Sequence, residues 1–249
     1  MEHSANPIEP IHQFQITELF PLGPFAFTNS ALFMILTVGA IGLFLLGTTG
    51  QRALVPGRGQ LLAEMVYEFV ANMVRTNAGH EGMKFFPLVF SLFLFILFAN
   101  LWGMFPYFFT VTSHIIITAA MALLVFAIVV GYGFYRNGLK FLKLFVPSGV
   151  PIYILPLVTL IEVISFLSRP LSHSLRLFGN ILAGHIVLKV FGGMVVALLG
   201  AGLWAPVAVL PFGMAVILTA LEFLVAGLQA FVFAVLTCVY LHDAIHPGH

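Results

Sequence analysis

The sequence has little charge and almost no cysteine. Only 8% of its 249 residues are charged, and ten Lys and Arg against nine Asp and Glu leave a formal net charge of +1. This balance provides no basic patch of the kind that binds nucleic acids. The single cysteine, Cys238, cannot form an internal disulfide, and no Cys and His cluster has the spacing of a zinc site. We therefore expect no nucleic-acid partner, no metal and no cofactor.

Apolar residues, by contrast, make up 61% of the chain. Such a composition is typical of a protein that crosses a lipid bilayer several times, since about 20 helical residues span a ~30 Å hydrocarbon core. The N-terminal MEHSANPIEP lacks the positive region and the apolar core of a cleavable signal, so the first span is expected to be retained. The sequence therefore predicts an all-α polytopic membrane protein.

The apolar runs predict a single membrane domain over residues 1–249, with about five membrane helical segments and one amphipathic helix. Its expected parts are an outer N-terminal segment at 1–27, a first span at 25–47, an amphipathic helix at 60–76, a helical hairpin at 85–135 and a longer hairpin at 150–241. A helix over residues 211–240 would measure about 45 Å at 1.5 Å per residue. Because a ~30 Å core would then require an unusually large tilt, we expect the last two helices to lie strongly tilted, near the membrane plane.

The distribution of Lys and Arg predicts the orientation of these segments. The first 27 residues contain neither. Short loops after the first and third spans contain several basic residues, namely Arg52, Arg58, Arg136, Lys140 and Lys143. Because such loops remain on the cytoplasmic side, we expect the N-terminus outside and, after an even pair of further spans, the C-terminus inside.

Polar side chains recur at helical spacing in the last two segments. A charged side chain in hydrocarbon costs roughly 2.5–3.5 kcal/mol on insertion scales, so such residues usually have a function. At 100° per residue, one line on the fourth segment lies within about 60° of Arg176, and its members are Glu162, Ser165, Arg169, His173, Arg176 and Asn180. His185 projects to the opposite side of that helix. A second line, on the fifth segment, comprises Glu222, Gln229 and Tyr240.

The chemistry of these groups limits what each can do. Arginine stays protonated in proteins, so Arg176 can hold a fixed positive charge but cannot pass on its own proton. That charge would attract a carboxylate from a partner and oppose the passage of a proton. Histidine titrates near neutral pH, which suits His185 and the carboxyl group of Glu222 to a proton relay. If the two segments pack as a hairpin, these two side chains are expected to meet.

Two stretches of this sequence, SRPLSHSLRLFGNILAGH and LEFLVAGLQAFVFAVLTCVYL, resemble the signature segments of subunit a of the F-type ATP synthases, bacterial or mitochondrial. The resemblance covers essentially the whole chain in span order. It implies a non-catalytic stator subunit of the Fo sector that faces a ring of c subunits and contacts b-type peripheral stalk subunits and lipid. It also implies proton movement through two offset half-channels to the carboxylates of the ring. We favour the inner (plasma) membrane of a bacterium over the mitochondrial inner membrane.

The resemblance implies a role for each polar residue on the two lines. It makes Arg176 the essential arginine that keeps the two half-channels apart. Asn180 and Gln229 match polar positions near that arginine and the outer half-channel, His185 and Glu222 match the pair lining the outer half-channel, and Glu162 and Ser165 match positions on the inner side.

Three other residues lie on the same lines without a settled role. Arg169, His173 and Tyr240 could take part in ion flow, or could serve as membrane anchors and polar filling. The sequence also departs from some bacterial members, in which the acid and the histidine of the outer pair are exchanged between the helices. Either order leaves one acid and one base in that half-channel.

Two other classes of membrane protein are alternatives to this interpretation. A haem-binding membrane subunit needs histidines paired across helices, but His173 and His185 project from opposite sides of one helix. An ion-coupled secondary transporter is expected to contain internal repeats and paired broken helices, and the sequence contains no evident repeat.

Overall fold

The computed structural model describes residues 18–22, 25–50, 57–105, 108–146, 150–151 and 153–246. Within them lie six α-helices: α1 (Asn29–Thr49), α2 (Arg58–Gly82), α3 (Phe86–Gly103), α4 (Ile115–Asn137), α5 (Leu155–Leu199) and α6 (Val209–Ile245). Strands β1 (Glu18–Leu22) and β2 (Phe25–Thr28) form an antiparallel hairpin before α1. The 3₁₀ segments in the described residues are Met83–Phe85, Val111–Ser113, Gly138–Phe145 and Gly202–Ala208.

Five helical stretches of the described residues are long and apolar enough to cross a membrane, which confirms the predicted all-α polytopic class. They are Asn29–Thr49, Arg58–Gly103, Ile115–Phe145, Leu155–Leu199 and Gly202–Ile245. With 45 and 37 residues, α5 and α6 both exceed the length that a perpendicular span needs. Their tilt against the membrane stays a prediction.

The start of the first span differs from the prediction. Residues 25–28 belong to β2, and the helix begins only at Asn29. Thr28 has an extended backbone and its Oγ1 accepts a hydrogen bond from the amide of Ala31 at 3.3 Å, which caps the new helix. The apolar composition of the strand concealed this boundary. Residues 1–17 of the expected outer segment lie outside the described residues.

The bounds of the second helix also differ from the predicted ones, and the first hairpin turns at a glycine. The amphipathic helix expected at 60–76 is longer, and Gly79, with a φ of 74°, interrupts its helical backbone near the C-terminal end. In the first hairpin, α3 ends at Gly103, which lies directly against the side chain of Thr110. A side chain larger than hydrogen at position 103 would overlap Thr110, so this glycine allows the link to α4 to fold back onto the helix end.

Helix α6 lies at the centre of the fold, where it packs against α2, α3, α4 and α5. Small residues spaced by four line its buried face and let neighbouring helices approach closely; they are Ala226, Ala230, Ala234 and Cys238, all fully buried. The side chains of α5, by contrast, are mostly exposed or half-buried, and its buried residues are Phe166, His173, Ser174, Leu177 and Ile181. One long face of α5 is therefore open on the surface of the chain.

Candidate functional site

Arg176 lies on the open face of α5. Its side chain and that of Asn180, one turn later, are exposed, whereas the neighbouring Leu177 and Ile181 point into the protein. Within the described part of the chain Arg176 lies in no ion pair. In hydrocarbon, a charged group without a partner is costly.

A hydrogen bond joins the two predicted polar lines next to Arg176. Asn180 Nδ2 donates to Gln229 Oε1 at 3.1 Å and so connects α5 to α6. The side chain of Gln229 is buried between the helices, while that of Asn180 stays exposed. The structure therefore brings Arg176, Asn180 and Gln229 together, at the edge between the open face of α5 and the interior.

The carboxylate of Glu222 lies against the backbone of α5. It occupies the space in front of Gly184, where an added Cβ would overlap Glu222 Oε1. Neither carboxylate oxygen has a hydrogen-bond partner among the described residues. Beside the carboxylate is an open cavity of about 290 Å³ lined by Asn180, Ala183, Gly184, Val187, Leu218, Leu221, Glu222 and Val225.

His185 contacts the link between α3 and α4. Its Nε2 lies 3.4 Å from Thr110 Oγ1. No hydrogen bond reaches the carboxylate of Glu222 within the described chain, so none joins it to His185, and the expected meeting of the two side chains stays a prediction. Gly184 faces α6, and the next residue is rotated by 100° from it.

Sequence reasoning missed a buried polar cluster beside this pair. Thr112 Oγ1 donates to Asn100 Oδ1 at 2.7 Å, and Asn100 Nδ2 donates to the carbonyl of Ala226 at 3.4 Å. Asn100 is 1% exposed, and Ala226 lies one turn after Glu222. The signal in the sequence was the asparagine itself, a polar residue within an otherwise apolar span.

The N-terminal part of the α5 line divides into exposed and interior groups. Glu162 is half-buried and Ser165 is exposed. His173 is buried, with its ring centroid 3.8 Å from that of Phe233 and 5.9 Å from that of Tyr240. Neither ring nitrogen of His173 has a hydrogen-bond partner among the described residues. His173 therefore lies in the helix interface rather than on the open face with Arg176.

Arg169 and Tyr240 meet a residue that the sequence did not indicate. Arg169 Nη1 lies 2.7 Å from Asp243 Oδ2, on α6. The guanidinium carbon lies 5.0 Å from the centroid of the Tyr240 ring and 5.1 Å from that of Phe166. Asp243 was missed because the predicted hairpin ended at residue 241, whereas α6 continues to Ile245.

The sequence that carries this site matches a known protein family. The sequence model of a family described as ATP synthase A chain matches residues 31–242, which include all the site residues except Asp243. The chain belongs to this ATP synthase A chain family. The resemblance of the two motifs to that family is therefore confirmed.

Relatives of this family match the chain over nearly its whole length. A protein named ATP synthase subunit a from Rhodopseudomonas palustris (strain BisB5) is 62% identical over 248 residues, which is 97% of this chain and 99% of the relative. Proteins of the same name from Chelativorans sp. (strain BNC1) and Mesorhizobium japonicum are 63% and 61% identical, over 97% and 99% of this chain and 99% and 100% of theirs.

Among the described residues, no three His, Cys, Asp or Glu side chains come together in a way that could hold a metal ion. The side chains that the structure places here are a cation, two titratable groups and hydrogen-bonding amides and hydroxyls. Such groups can hold, exchange and guide protons.

Proposed function

We propose that this chain is the proton-translocating, non-catalytic stator subunit of the Fo sector of an ATP synthase. In this role it faces a rotating ring of c subunits, each of which brings one carboxylate past Arg176. The observation that carries the proposal is the exposed guanidinium of Arg176, with no carboxylate partner in the described chain. A passing carboxylate would supply the missing negative charge.

The outer half-channel is proposed to follow the polar groups between α3, α5 and α6. Protons would pass His185 beside Thr110, reach the Glu222 carboxylate, and leave through the cavity that Asn180 also lines. A carboxylate without a hydrogen-bond partner in the described chain, next to an open cavity, suits proton uptake and release. Asn180 and Gln229 would hold the end of this route in position beside Arg176.

The inner half-channel is proposed to begin at the N-terminal end of α5. Glu162 and Ser165 lie there on the surface side of the helix, about three to four turns before Arg176. The carboxylate of Glu162 would accept protons released by ring carboxylates, and the hydroxyl of Ser165 would form hydrogen bonds along the same route. Because Arg176 keeps its proton, its fixed charge opposes a direct proton jump between the two half-channels. Protons would then cross only by travelling with the ring.

Rotation against the stator would convert the membrane potential into mechanical work. One charge that crosses 100 mV contributes about 2.3 kcal/mol, so several ring steps must add up for each ATP made on other subunits. We propose that b-type stalk subunits hold the chain against this torque. The basic loops support an N-terminus outside and a cytoplasmic C-terminus, in the plasma membrane of a bacterium.

Replacement of Arg176 tests the proposal. Inverted membrane vesicles with ATP synthase that contains Arg176→Ala should assemble the complex but lose ATP-driven proton pumping, measured with a fluorescent pH probe. Arg75→Ala, which removes an exposed arginine from α2, is the matched control and should pump normally. Normal pumping by an assembled Arg176→Ala complex would refute the assignment.

A further inference from the structure

The ion pair between Arg169 and Asp243 joins the last two helices near Arg176. Arg169 lies two helical turns before Arg176 on the same line of α5, and Asp243 lies in the last turn of α6. Their side chains are 22% and 21% exposed, so the pair is largely shielded from its surroundings. Of the two arginines at nearly the same angle on this helix, Arg169 therefore has an ion-pair partner among the described residues, whereas Arg176 has none.

Three contacts hold the guanidinium of Arg169. In addition to Asp243 Oδ2 at 2.7 Å, the rings of Phe166 and Tyr240 lie within cation–π distance. Phe166 belongs to α5, whereas Tyr240 and Asp243 belong to α6. Because the contacts come from both helices, the pair fixes how the inner end of α5 lies against α6.

We propose that Arg169 and Asp243 form a charge-compensating positioning pair, which fixes α5 against α6 and leaves Arg176 as the arginine that a ring carboxylate meets. This inference rests on the proposed function, since it assumes that Arg176 meets a ring carboxylate. Without Asp243, the guanidinium of Arg169 would be a second uncompensated cation two turns away. It would attract the same carboxylate and hold it at the wrong depth.

The pair is a positioning device rather than a step in proton transfer. An arginine does not give up its proton in a protein, so Arg169 cannot carry one. Removal of one partner of a shielded ion pair leaves an uncompensated charge, whereas removal of both can be nearly neutral. A charge-compensating role therefore predicts that two harmful changes become mild when they are combined.

A double-mutant cycle in the complete ATP synthase tests this prediction. Asp243→Asn and Arg169→Gln should each lower ATP-driven proton pumping about tenfold, or about 1.4 kcal/mol. The combined variant Arg169→Gln with Asp243→Asn should pump within about threefold of the unmodified complex. Asp243→Glu, which keeps the negative charge, should also retain most of the pumping.

The second ion pair of the described chain provides a matched control. Arg136 and Glu81 join the C-terminal ends of α4 and α2, and their side chains are more exposed. Glu81→Gln and Arg136→Gln, alone or together, should leave pumping unchanged, since exposed ion pairs contribute little. The amounts of this chain and of c subunits in each purified complex show whether the variants assemble.

The outcomes separate this inference from the proposed function. Normal pumping by Asp243→Asn, or a combined variant that pumps no better than the weaker single variant, would overturn the inference. If a single variant does not assemble, the inference is tested on the combined variant alone. A tenfold loss of pumping in an assembled complex that contains both changes also overturns the inference. Normal pumping by Arg176→Ala would instead refute the proposed function, whatever the cycle gives.

Discussion

Asn180 and Gln229 are joined across the α5–α6 interface by a hydrogen bond of 3.1 Å, one turn from Arg176. The donor stands on the open face of α5 and the acceptor belongs to a buried side chain of α6. The bond therefore couples the surface where a ring carboxylate would pass to the packing of the interior. A change to either side chain should therefore alter the surroundings of Arg176.

Loss of this hydrogen bond should impair proton pumping. Asn180→Leu and Gln229→Leu are each expected to lower ATP-driven pumping several-fold, because the remaining polar group loses its partner, at about 1–3 kcal/mol. Since both changes remove the same bond, the double variant should lose less than the product of the two effects. Asn72→Leu, on the exposed side of α2, is the control. Independent, fully multiplying effects would contradict the coupling.

The contact between Gly184 and Glu222 gives a sharper test. In Gly184→Ala the new methyl group overlaps the Glu222 carboxylate, and such overpacking typically costs about 1–3 kcal/mol. Pumping should fall, and the shorter side chain of Glu222→Asp should restore part of it in the same background. Gly192→Ala, where an added Cβ meets nothing within 4 Å, should have no effect. Equal pumping by the two alanine variants would argue against the contact.

Helical periodicity predicted part of this site correctly. It placed Arg176 and Asn180 on one line of α5, and the structure leaves both side chains on the open face. The same line included His173, which is buried against Phe233 and Tyr240. Periodicity gives the direction of a side chain about its own helix. It does not reveal which neighbouring helices cover that direction.

The features that the sequence could not predict depend on contacts between distant parts of the chain. Asn100 lies 126 residues from Ala226, whose carbonyl accepts its hydrogen bond. Asp243 lies 74 residues from Arg169 and beyond the end of the apolar run. The β1–β2 hairpin was missed because its apolar residues are followed directly by the apolar residues of α1. Local composition indicated the spans, whereas the hydrogen-bond and ion-pair partners of individual side chains depend on how the helices pack.

The polar cluster around Asn100 should stabilise the complex. Asn100→Leu leaves the buried hydroxyl of Thr112 without its acceptor, at a cost of about 1–3 kcal/mol. The purified complex should then dissociate at a lower temperature, measured by native gels after stepwise heating. The double variant with Thr112→Val should be less affected than Asn100→Leu alone, because no hydroxyl is left unpaired. A larger loss in the double variant would show that the hydrogen bond is not the cause.

Exchange of the identities at positions 185 and 222 tests whether the outer pair works as an acid and a base. The structure does not join the two side chains directly, but both lie near Gly184 and could exchange protons through the same polar region. The exchanged variant, His185→Glu with Glu222→His, keeps one acid and one base there. We expect it to pump more than His185→Leu or Glu222→Leu alone, measured as the initial rate of ATP-driven acidification. If all three are equally inactive while their complexes assemble, the two groups do not cooperate, and proton entry must depend on the position of each side chain rather than on the presence of both.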